Sequence, residues 1–141
     1  MSKKSLSNAY RIFVRTRAKG HCEYCMSRDD CSTNPFDTEH IISTAHNGTD
    51  ELDNLAYACS GCNGYKFTKI EGYDTVSERF VSLFNPRTQL WNDHFFWNNT
   101  ATLIVGKTPI GRATIDTLKM NRPPLINLRK AMVLLGIHPP K

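Results

Sequence analysis

The sequence predicts an α+β domain organised around a small hairpin and helix that cysteines staple together. Three observations predict it. Residues 36–42 (FDTEHII) alternate apolar and polar side chains into a β-branched run, and LAYA at 55–58 supplies a returning strand. Two Cys-x-x-Cys pairs, Cys22/Cys25 and Cys59/Cys62, flank that hairpin. Segments at both ends of the chain carry helical apolar spacing with capping residues. A chain of 141 residues without repeat or low-complexity tract reads as one domain, 1–141, able to bury its own core.

Taken in order, residues 6–19 place Ala9, Ile12, Phe13 and, less regularly, Val14 against Arg11, Arg15, Arg17 and Lys19. Ser5 or Ser7 can cap this amphipathic helix and Gly20 can end it; its basic face is either solvated or laid along phosphates. The strand from Phe36 ends near Ser43. Asn47, Gly48, Asp50, Glu51 and Asp53 then favour an irregular exposed loop. After Cys59, the residues Gly61, Asn63 and Lys66 suit a cysteine-closed knuckle leading into a short helix. Thr75-Val-Ser-Glu78 spells a capping box, which predicts a helix through Phe80, Val81, Leu83 and Phe84 that stops at Asn85-Pro86, its aromatics in the core. Alternation around Trp91, His94, Phe95 and Trp97, followed by residues 101–105, predicts a second hairpin turning at Asn98-Asn99. Residues 109–120 predict a helix burying Ile110, Ala113, Ile115, Leu118 and Met120. Arg122-Pro-Pro breaks the chain, and residues 125–135 form a last helix closed by Gly136.

The formal net charge is +5 and the pI near 9.0, a balance that favours a polyanionic partner. No apolar run is long enough to span a bilayer, and MSKKSLSNAY lacks the hydrophobic middle of a signal peptide, so a cytoplasmic protein is expected. In a reducing compartment five cysteines argue for metal over disulfides. Cys22, Cys25, Cys59 and Cys62 are the four thiolates of a tetrahedral structural zinc, with redox or buried thiol pairs as the alternative; Cys31 is left over as a free thiol.

The stretch from Phe36 to Lys69 carries the chemistry. Glu39 and Asn63 are oxygen ligands suited to a hard divalent ion. His40, adjacent but on the opposite strand face, suits holding or deprotonating a water, and Asn54 suits bonding either the imidazole or the loop backbone. His46 is a weaker candidate base because nothing fixes it. Lys66, Arg87 and His94 are candidate phosphate contacts, His94 reading alternatively as a histidine hydrogen-bonded in an aromatic wall.

Glu39-His40, the spaced Asn54-Leu55 and Cys59-Ser-Gly-Cys62-Asn63-Gly-Tyr-Lys66 closely resemble the motif of the HNH endonuclease family in the form that ends in asparagine. Residues 22–69 carry that motif, and 70–141 form an extension. Within the extension, WNDHF and TPIGRATIDTLKMNR are similar to the extension of small stand-alone bacterial HNH proteins. The resemblance implies a ββα-metal fold, with Glu39 and Asn63 holding a catalytic magnesium or manganese ion, His40 as general base and Asn54 positioning it. Many members have aspartate in place of Glu39 and a second histidine in place of Asn63, which leaves the working metal open. The expected function is metal-dependent hydrolysis of DNA phosphodiester bonds by a protein expected to be monomeric, leaving 5′-phosphate and 3′-hydroxyl ends. The alternatives are a zinc-stabilised nucleic-acid-binding module without catalysis, and a structural protein whose basic surface only solubilises it.

Overall fold

The computed structural model describes residues 6–141. Helix α1 (Asn8–Arg17) starts at Ser7, whose hydroxyl accepts the Tyr10 N–H at 3.2 Å. The other candidate cap, Ser5, lies outside the described residues. The helix touches the rest of the chain along a narrower stripe than its sequence suggests. Val14 is buried with Leu55 and Tyr57, while Ile12 and Phe13, expected on the apolar face, are 67% and 49% exposed.

Strands β1 (Asp37–His40) and β2 (Leu55–Ala58) pair antiparallel, with Asp37 opposite Ala58 and His40 opposite Leu55. Because side chains alternate along a strand, this register separates two faces. Thr38 and His40 share a face with Leu55 and Tyr57, on which α1 packs. Asp37 and Glu39 share the other with Ala56 and Ala58, and helix α2 (Ser60–Lys66) packs against β1.

The helix expected after Thr75 is absent. Strands β3 (Glu71–Asp74) and β4 (Arg79–Ser82) form a hairpin there, with Thr75–Glu78 as its turn. The residue that organises the turn is Asp74, just before the supposed cap. Its carboxylate accepts the Val76 and Ser77 N–H groups and the Ser77 hydroxyl, and takes both arms of Arg112 at 2.9 Å. That buried pairing, with Gly72 and Asp74 packed on the helix that carries Arg112, outweighs the local capping signal. Phe80 therefore points outward, 70% exposed and edge-on to Tyr73, while Leu83 and Phe84 are in the core as expected.

The second expected hairpin forms from β5 (Phe95–Trp97) and β6 (Ile104–Gly106), but Trp91 and His94 belong to a helical turn, α3 (Trp91–His94), that precedes it. Asn98 shapes the connection, its side-chain oxygen accepting the N–H groups of Thr102 and Leu103. Helix α4 (Pro109–Leu118) begins at Thr108, whose hydroxyl accepts the Gly111 N–H. Helix α5 (Pro123–Leu134) starts two residues earlier than expected. Pro123 and Pro124 occupy its first turn, where a missing N–H costs nothing, so Arg-Pro-Pro starts this helix. One core joins the two ends: Cys22, Tyr24 and Ala56 from the hairpin region cluster with Phe84, Phe95, Leu118, Met120 and Leu125 from the extension.

Candidate functional site

The cysteines converge at the end of the hairpin. Their four sulfurs lie within 4.8 Å of one another and all four residues are buried. Each pair closes a small knuckle in which the second cysteine's N–H donates to the first one's sulfur, Cys25 to Cys22 and Cys62 to Cys59, both at 3.4 Å. Zinc–sulfur bonds of about 2.3 Å in a tetrahedron set sulfurs about 3.8 Å apart, and Cys25 and Cys59 lie at 3.7 Å. Burial pushes the Cys22 thiol up. Hydrogen bonds from the Cys22, Cys25 and Cys62 thiols hold Cys59 well below the ordinary range. Thiolates gathered out of water need a cation among them, and a buried four-sulfur set suits zinc. No disulfide joins these cysteines, and Cys31 stands outside the cluster.

A residue from the extension completes this end. Arg122 donates to the Cys59 sulfur at 3.5 Å and the Cys62 sulfur at 3.7 Å, and to the carbonyls of Leu118 and Lys119. Burial works against its charge, but the Cys62 and Cys59 sulfurs more than offset that and raise its pKa. A Cβ at position 61 would lie 2.3 Å from the Arg122 guanidinium, so glycine there is what admits the arginine. Nothing local in the sequence marks Arg122, which acts across 60 residues of chain.

The opposite end of the hairpin holds His40. Its imidazole Nε2 meets the Asp50 carboxylate at 2.6 Å, the two side chains 24% and 43% exposed. Asn54 does not reach the ring. Its amide oxygen accepts the Ile42 N–H at 2.9 Å, and its amide nitrogen donates to the carbonyls of Ile42 at 2.9 Å and Thr49 at 2.8 Å. Of the two roles open to it, Asn54 takes the backbone one. Asn54 bonds the Thr49 carbonyl, and the next residue, Asp50, bonds the ring. Gly48 fits because a Cβ there would lie 1.6 Å from the Ile42 carbonyl oxygen.

On the α2 face, Glu39 is 5% exposed. Its carboxylate accepts from the Tyr24 hydroxyl at 3.3 Å and faces the Lys66 amine at 3.2 Å. Burial raises it to about 7 against the downward pull of Lys66 and Tyr24. Asn63 donates its amide to the Asp37 carboxylate at 3.0 Å. Asp37 was not singled out in the sequence, although period-two alternation puts it on the same face as Glu39.

The candidate phosphate contacts need correction. Lys66 is 1% exposed, and its amine bonds the carbonyls of His40 and Ile41 at 3.1 and 2.8 Å as well as Glu39. Its helix lies flat on β1, so a side chain one turn beyond Asn63 reaches the strand and not solvent. Arg87 is turned inward onto Glu23 and the Leu55 carbonyl. His94 bonds the Thr108 hydroxyl at 2.7 Å and lies edge-on to Phe84, the aromatic-wall alternative. His46 is exposed in the loop.

His40, Glu39 and Asn63 thus belong to one hairpin-helix unit, but each has its own partner and none bonds another. That unit is a β-hairpin followed by a helix, with a four-cysteine cluster at the junction. Residues 22–68, which contain it, match the family model described as HNH endonuclease. No curated protein and no solved structure gives a significant match to the chain. Among the described residues no helix is long and apolar enough to cross a membrane.

Proposed function

We propose that the protein is a metal-dependent endonuclease that hydrolyses DNA phosphodiester bonds, working as a monomer in the cytoplasm. The observation that carries the reading is the imidazole of His40, held at one nitrogen by Asp50 inside the segment that matches the HNH endonuclease model. A carboxylate at Nε2 fixes the tautomer with the proton on that nitrogen, which leaves Nδ1 free to take a proton from water. Asp50 also compensates the charge the ring gains on doing so. Asn54 fixes the loop that presents Asp50. Glu39 and Asn63 would hold a magnesium or manganese ion, which supplies neutralisation of the charge that builds on the phosphate and the leaving oxygen. Asp37, already bonded to the Asn63 amide, offers a further oxygen at the same place. The net charge of +5 favours the polyanionic substrate.

One observation favours a second reading, a zinc-stabilised nucleic-acid-binding module without catalysis: the Glu39 carboxylate is taken up by Lys66 and Tyr24. Nicking of supercoiled plasmid separates the two. The nuclease reading expects nicked product with magnesium or manganese and none in EDTA; DNA binding with no product under any metal would establish the module.

A further inference from the structure

Phe67 combines two features that local stability does not explain. It caps α2 at φ 50° and ψ −123°, backbone values natural to glycine and strained for an aromatic residue. Its side chain is nevertheless 73% exposed, so burial of the ring does not offset the strain. The residues on either side are tied to the segment that carries the proposed base. Lys66 bonds the His40 and Ile41 carbonyls, and the Thr68 carbonyl accepts the Ser43 hydroxyl at 3.3 Å. Phe67 is therefore held at the rim of the His40 end of the hairpin, and the segments tied there carry two further exposed apolar residues, Ile42 and Tyr65, at 41% and 43%. The exposed Lys69 follows Phe67 two residues on, its amine donating to the Tyr65 carbonyl.

We propose that Phe67 is a nucleic-acid contact, a ring that stacks on or wedges between bases of the bound strand and so sets the phosphate opposite His40. The inference rests on the nuclease reading and adds to it the surface that receives the substrate. An aromatic ring held in place two residues from an exposed lysine matches a base flanked by phosphates. A strained backbone that offers an unburied ring to solvent fits a residue kept for contact.

The test measures two properties of Phe67→Gly and Phe67→Trp in the full, zinc-loaded chain. The first is binding of a labelled DNA duplex and of its single strand in EDTA, where no cleavage intervenes; the second is thermal unfolding. Phe67→Gly relieves the strain, so its melting temperature is expected to rise while its DNA affinity falls about tenfold, the loss expected for one stacked base. Phe67→Trp is expected to keep wild-type affinity. Wild-type affinity in Phe67→Gly would overturn the proposal. So would a lower melting temperature, which would make Phe67 a packing residue. A wild-type protein that binds neither DNA form would sink the nuclease reading itself, an outcome distinct from equal binding by wild type and variant.

Discussion

The two ends of the β1–β2 hairpin solve opposite problems with the same two strands. At the cysteine end, four sulfurs are withdrawn from water and drawn within 4.8 Å of one another, an arrangement that a cation and the Arg122 guanidinium make tolerable. At the loop end, His40 and Asp50 stay partly in solvent, and what is buried is the Asn54 amide that holds the loop. One end concentrates charge to hold the chain together; the other keeps a titratable ring accessible and positioned. A chain with little regular structure between residues 20 and 55 can position a reactive side chain because the far end of the same hairpin gathers four cysteines that could hold a metal.

The most severe way to break this contrast is at the sulfurs. Cys59→Ser should lose zinc and fold together, since structural zinc contributes on the order of 10 kcal/mol or more to small domains. Metal analysis and circular dichroism check it, and a folded, zinc-replete variant would remove the staple. At the other end, His40→Ala should lower plasmid nicking by about 10²–10⁴-fold, with zinc content and melting temperature unchanged. Between these lies Asn54→Ala, which strands the Ile42 N–H and carbonyl and the Thr49 carbonyl. It should cost about 1–3 kcal/mol in chemical denaturation and also slow nicking, because Asp50 moves with the loop. The smallest effect sharpens the cysteine end: Arg122→Met should release zinc to a chromogenic chelator about tenfold faster, as expected when a hydrogen-bonding partner of a metal ligand is lost. Release at the wild-type rate would reduce Arg122 to a packing role.

What was legible in the sequence follows from how local each signal is. The hairpin, the knuckle and its helix came from alternation and from cysteine spacing, and both are properties of adjacent residues. The cysteine set was legible because two matched Cys-x-x-Cys pairs have few other uses. The helix expected at Thr75 failed because Asp74 and Arg112, 38 residues apart, settle that turn together. Lys66 was misplaced because a motif says which residues are near one another and not which way they point: on a helix packed against β1, the amine meets strand carbonyls and Glu39. Asp50 was hidden among several acids of a polar loop. Arg122 carries no local signature, and Asp37 was overshadowed by Glu39 although the same alternation places both on the α2 face.

The central claim is that His40, held by Asp50, takes the proton from the attacking water while the cysteine end only supports it. Its most direct test is metal-dependent nicking by His40→Ala protein whose zinc content and melting temperature equal those of the wild type. The account predicts no nicked plasmid above the EDTA background. Nicking at the wild-type rate would contradict it.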